Sequence, residues 1–336
     1  MSLILKTFVY LSALFLLGHK LVDLYPESAL SWYAVGCYYY LIGKNDNARR
    51  YLSKATTLDR IFGPAWIAYG HSFAAENEHD QAMAAYFKAA QQMKGCHLPL
   101  LYIGMEYSLT NNPKIAEKFF REALEISPED PFVLQEIGVV SFTNQDYKTA
   151  EIFLGRAVNV VVESDITIVP DKWSVLLNNL AHACRKNGKY NDALHFHHQA
   201  LKVCPGVAST YSDIGLVQAL LGQYEDAVVT LHKSLSLNRE QTTATGLLST
   251  VMEQLTSQTP TFQGVDNIPE LVLPTELTGI DSNNSANSSF QPPTTTSIPD
   301  ISMIITSNLG KFFNIKKFNE VIFKNFLALF FSLNIN

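Results

Sequence analysis

Phe62–Ala90 reads FGPAWIAYGHSFAAENEHDQAMAAYFKAA, and its pattern decides the fold. Trp66, Tyr69, Gly70 and Phe73 recur at helical spacing, and so do Ala82, Tyr86 and Ala89. The acidic pair Glu76 and Glu78 lies between the two runs, in a polar turn that breaks the helix. Two antiparallel helices follow, and the small residues Gly70 and Ala82 let them approach closely. Working outward, Gly36, Gly70, Gly104 and Gly138 follow one another at a spacing of 34, and the same spacing separates Ala181 from Gly215. Between Gly138 and Ala181 the distance is 43, so about nine residues are inserted, assigned to Asn159–Pro170.

A period of 34 built from two helices is that of the tetratricopeptide repeat. Six repeats share one register. The first carries Trp32, Val35, Gly36, Tyr39, Ala48, Leu52 and Ala55; the last carries Tyr211, Ile214, Gly215, Ala227 and Leu231. The expected fold is therefore all-α, a right-handed solenoid of helical hairpins, because no repeat buries its apolar face without a neighbour. Residues 1–28 read as the second helix of a preceding repeat, a reading preferred over a secretory signal. Residues 29–158 form four repeats, 159–173 an inserted loop, 174–241 two more repeats, and 242–255 a helix capping the last. From 256 to 336 the chain turns to Ser, Thr, Asn and Pro and then to a Phe- and Asn-rich stretch out of register, and is expected to be a disordered tail with one possible helix at Asn319–Leu333. Trp32, Trp66, Tyr69 and Phe120 are expected in the core.

The register also names a surface. The second, fifth, ninth and twelfth positions of each first helix point into the concave face. A peptide-binding groove is expected there, from Tyr33, Cys37, Tyr40, Ile67, His71, Leu101, Met105, Gln135, Val139, Phe142, Asn178, His182 and Arg185. Its first four repeats are apolar and aromatic, its last two more polar. Apolar groups in an open channel call for a ligand, although a tight superhelix or the tail could also bury them. The Lys and Asn pattern that clamps a chaperone carboxylate is missing, since Tyr33 with Cys37 and Ile67 with His71 occupy those positions.

Composition removes other classes. A net charge of −6 without Lys/Arg runs argues against nucleic acid. The N-terminal apolar run and Phe326–Leu333 are too short to span a bilayer, so no membrane is expected. Cys37, Cys96, Cys184 and Cys204 are far apart and read as reduced fillers of helices, in a reducing compartment. His195 and His198 are spaced like ligands, yet no cysteine or carboxylate completes a set with them, His182 and His197, so no metal or cofactor is expected. No phosphate loop, GxSxG or HExxH is present, so no catalytic residue is assigned. Two alternatives stay open, a repeat module attached to an enzyme and a general adaptor.

Phe62–Ala90 and GCHLPLLYIGMEYSLTNN (Gly95–Asn112) resemble the cell-division-cycle 16 family, subunit six of the anaphase-promoting complex. NARRYLSKATTL (Asn47–Leu58), DKWSVLLNNLAHACRKNGKY (Asp171–Tyr190) and HQALKVCP (His198–Pro205) fit the same family. The resemblance implies a non-catalytic scaffold subunit of a large ubiquitin ligase acting at the metaphase–anaphase transition and mitotic exit. It implies residence in nucleus and cytoplasm, with spindle association in mitosis. It also implies other repeat subunits as partners, and a small accessory subunit, the cell-division-cycle 26 protein, running through the groove. The family dimerises through N-terminal repeats, but this sequence starts partway through the family pattern, which argues against a homodimer. After about Asn238 it departs from the family as well.

Overall fold

The computed structural model describes residues 3–163 and 173–258, which fold into helices and turns without a strand. The helices are α1 (Leu3–Leu24), α2 (Ala29–Leu41), α3 (Asn45–Leu58), α4 (Gly63–Ala74), α5 (His79–Gln92), α6 (Leu98–Leu109) and α7 (Pro113–Ile126). They continue as α8 (Pro131–Thr143), α9 (Tyr147–Glu163), α10 (Trp173–Lys186), α11 (Tyr190–Val203), α12 (Ala208–Leu220), α13 (Tyr224–Leu237) and α14 (Thr242–Gln258). The tightest pairs are α2 with α3, α4 with α5, α6 with α7, α8 with α9, α10 with α11 and α12 with α13. Each second helix then packs on the first helix of the next pair, which makes a tetratricopeptide solenoid.

The hairpins close on one recurring contact, between positions eight and 24. A Cβ added at Gly36 would stand 2.5 Å from Leu52 Cγ, at Gly70 2.4 Å from Tyr86 Cε1, and at Gly104 2.5 Å from Phe120 Cε1. Gly138 meets Leu154 at 2.5 Å and Gly215 meets Leu231 at 2.7 Å in the same way. The large partners are fully buried, each contributing about 1.5–3 kcal/mol of apolar burial. Glycine therefore holds this position because the partner side chain occupies its Cβ space.

The turns inside the hairpins recur too. Gly43, Asn77, Asn111, Gln145, Gly188 and Gly222 all have positive φ and all fall at position fifteen. A left-handed residue just past a helix end satisfies its last carbonyls, so glycine and asparagine suit it and Gln145 is the strained exception. Pro64, Pro99, Pro113 and Pro131 stand in first turns, where the missing N–H costs nothing.

The structure alters several expectations. The loop assigned to 159–173 begins later, because α9 runs on to Glu163. Val158 and Val161 continue the apolar stripe of Leu154 and Ala157 and pack in one cluster with Trp173. Residues 164–172 lie outside the described residues, and Trp173, buried against Phe132, begins α10. Phe120 is fully buried, but Trp32, Trp66 and Tyr69 are only half-buried. Trp32 Nε1 donates to the Pro26 carbonyl at 2.7 Å and Trp66 Nε1 to that of Arg60 at 3.0 Å, so each indole ties a repeat to the turn before it. Glu76 and Glu78 do more than cap a turn. Both pair with Arg49 of the preceding repeat, which also takes Asp46 at 2.7 Å and lies over the Phe73 ring.

At the ends, α1 buries Leu14 and Gly18 on α2, and an added Cβ at Gly18 would stand 3.2 Å from Val35 Cγ2. The last helix among the described residues, α14, lays Ala244 and Val251 on Ala227 and Leu231 of α13. Residues 259–336, including the expected tail and its helix, lie outside the described residues. Among the described residues no helix is long and apolar enough to cross a membrane.

Candidate functional site: the inner wall of the solenoid

Successive first helices place their fifth, ninth and twelfth positions along one wall. Tyr33, Cys37, Tyr40, Ile67, His71, Leu101, Gln135, Phe142 and His182 are each less than a tenth exposed. They are therefore not side chains standing in an open channel, which corrects the expectation of an apolar lining. The reason is the closeness of consecutive first helices, whose side chains wedge into one another. Tyr33 meets the Phe62 ring edge-on at 5.2 Å, Tyr40 stacks on His71 at 6.1 Å, and His71 meets Tyr102 edge-on at 4.5 Å. Met105, Val139, Asn178 and Arg185 remain half-buried and form the wall's accessible face. Leu30, Leu98, Phe132 and Val175, at second positions, are half-buried beside them. Their signal in the sequence is apolar character at position two, one of the groove-facing positions.

The wall's polar groups divide into matched and unmatched ones. His71 Nδ1 lies 2.7 Å from the Tyr86 hydroxyl, and burial holds its imidazole down at about 3, so it is neutral at physiological pH. Three carboxylates at the joints between repeats, Glu106 buried and Asp130 and Asp213 half-buried, each have a histidine. Glu106 meets His79 at 2.6 Å, Asp130 meets His97 at 3.1 Å, and Asp213 meets His182 at 3.6 Å. Asp130 also caps α8, accepting from Phe132 N and Val133 N at 2.8 and 3.2 Å.

His197, one of the histidines without a ligand set, occupies position 24 and is fully buried. Opposite it, repeat five carries Ala181 where five other repeats carry glycine. Asn178 Nδ2 donates to Thr210 Oγ1 at 3.0 Å, which leaves Asn178 Oδ1 to accept from His197 Nδ1 at 2.9 Å. Burial, with His182 and Arg185 close by, pushes the His197 pKa down, so the ring is neutral and Nε2 is an acceptor without a partner. Also buried without a partner are Gln135 Oε1 and both amide atoms of Asn179. Glu136, half-buried next to Gln135, has its carboxyl pushed up to about 7 by burial. Among the described residues no group of three or more His, Cys, Asp or Glu could hold a metal. The four cysteines are free, with Cys37 and Cys184 buried.

This architecture can be placed among known proteins. Tetratricopeptide repeat families match residues 174–240 and residues 29–62 and 101–130. The human cell division cycle protein 16 homolog is 56% identical over 254 residues, covering 75% of this chain and 41% of that protein. Anaphase-promoting complex subunit 6 of Arabidopsis thaliana is 46% identical over 215 residues, covering 63% of this chain and 38% of its own length. The chain thus spans about two fifths of these relatives. Among solved structures, the APC/C hetero-tetramer Cut9-Hcn1 aligns at 36% identity and a TM-score of 0.65, covering 72% of this chain and 46% of that one. From its glycine register to these identities, the chain belongs to the tetratricopeptide-repeat proteins of the cell division cycle protein 16 and anaphase-promoting complex subunit 6 family.

Proposed function

We propose that the protein is a non-catalytic scaffold subunit of the anaphase-promoting complex whose inner wall holds an extended segment of a small accessory subunit, of the cell-division-cycle 26 type. In that role it supports ubiquitination of cell-cycle regulators at the metaphase–anaphase transition and mitotic exit, in nucleus and cytoplasm. Other repeat subunits of the complex are its further partners. The observation that carries this reading is the likeness to the Cut9-Hcn1 assembly over 72% of the chain at 36% identity. The wall supplies half-buried apolar contacts at Met105, Val139 and Phe132.

Calorimetric titration of the 336-residue chain with a peptide from the accessory subunit's N-terminus tests it. Saturable binding is expected, weakened at least about tenfold by Val139→Asp, because a carboxylate brought against an apolar contact is desolvated without a partner. A folded chain that does not bind, or binding indifferent to Val139→Asp, would overturn the reading.

A further inference from the structure

One spot on the inner wall is rich in acceptors and poor in donors. Gln135 is 8% exposed, and its Oε1 is buried with no hydrogen-bond partner. Its amide Nε2 reaches Glu136 Oε1 only at 3.5 Å, a weak contact. Glu136 forms no ion pair with any described residue, whereas Glu106, Asp130 and Asp213 each have a histidine. Burial accordingly favours its neutral form and holds the carboxyl near 7. A buried acceptor left unpaired is costly, and an unpaired buried charge more so. The cost at the half-buried Glu136 vanishes if a donor that is also a cation arrives. The half-buried Met105 and Val139 are suited to the apolar stem such a cation carries.

We propose that Gln135 and Glu136 form a subsite of the groove that receives the lysine or arginine head of the bound segment. This rests on the accessory-subunit reading above and adds a specificity determinant to it. A lysine ammonium or an arginine fork donates to Glu136, beside which the Gln135 amide lies, while its stem lies on the apolar wall. A segment with a neutral or acidic side chain at that point leaves Glu136 uncompensated, so the subsite selects by charge.

The test is a double-mutant cycle by calorimetry on the 336-residue chain. The probe is a synthetic peptide of the accessory subunit's N-terminal segment, with each Lys or Arg replaced singly by Gln. Glu136→Gln is expected to weaken the unmodified peptide at least about tenfold. One peptide variant is expected to show the same loss and to be insensitive to Glu136→Gln. The free Glu136→Gln chain is expected to melt at the same or a higher temperature, since it loses an uncompensated charge. Unchanged affinity, or an equal effect of Glu136→Gln on every peptide variant, would overturn the subsite and leave the groove reading standing. A lower melting temperature would make Glu136 structural and overturn it too. Failure of the wild-type chain to bind the unmodified peptide would overturn the groove reading itself, and the subsite with it.

Discussion

Single residues set both the closest packing and the most exposed weaknesses of this solenoid. Gly70 is glycine because Tyr86 Cε1 would lie 2.4 Å from its Cβ. Tyr86 is also held by His71 at 2.7 Å and cannot swing aside freely. Gly70→Ala is therefore expected to cost about 1–3 kcal/mol in chemical denaturation, and Gly70→Leu more, as overpacking. The opposite sign is expected at Gln145, whose φ of 64 is left-handed. Gln145→Gly should stabilise by about 1 kcal/mol, read as a raised urea midpoint at unchanged slope. Glu136 makes a third case, governed by pH. Its pKa rises on folding from 4.5 to about 7, so its protonated form stabilises the fold below about 4.5, and that contribution is lost as pH climbs through 7. Glu136→Gln should match the parent at pH 4 and exceed it by about 1–3 kcal/mol at pH 8. An equal difference at both pH values would refute the assignment.

At the scale of elements, first and second helices have different patterns because they have different numbers of neighbours. α2, ALSWYAVGCYYYL, is apolar nearly all round, since it touches α1, α3 and α4. α7, PKIAEKFFREALEI, has one apolar stripe ending in Ala116, Phe120 and Ala123, and an outer face of Lys, Arg and Glu. Helix α14 serves as a cover for α13. Ala244 and Val251 shield Ala227 and Leu231, and Gln241 just before it accepts from Ser234 Oγ at 2.8 Å. Val251→Asp is expected to detach α14 and lower hydrogen-exchange protection in α13, by burying a charge without a partner.

For the whole molecule, contacts run between neighbouring helices, so damage stays local. Under Val251→Asp, protection of α2–α5 should change little; a uniform loss along the chain would show the solenoid to be more cooperative than its contacts. The ion network of Arg49 with Glu76, Glu78 and Asp46 is one of the joints that set how a repeat sits on the next. The inner wall is likewise a product of stacking. Leu101, expected from its register to line a channel, is 4% exposed and packs with Phe120, Val133 and Ile137. Leu101→Asp is therefore expected to act on folding, reducing the helical circular-dichroism signal at 37 °C, whereas Val139→Asp acts on binding alone.

The period of 34 made the fold legible before any coordinate, because small residues, glycine or alanine at position eight and alanine at position twenty, admit the partner helix closely. The same register located the inner wall, since helical geometry places the fifth, ninth and twelfth positions on one face. Which of those residues are accessible was decided by the distance between consecutive first helices, a quantity no single repeat contains. Tyr40 meeting His71, and His71 meeting Tyr102, are contacts across 31 residues each, and they turn an expected lining into interior. The continuation of α9 to Glu163 was hidden for a similar reason. NVVVE reads equally as loop or helix until Trp173 closes against Val158 and Val161. Local spacing determined the repeat and its direction; stacking determined which of its polar and apolar groups are left for a partner.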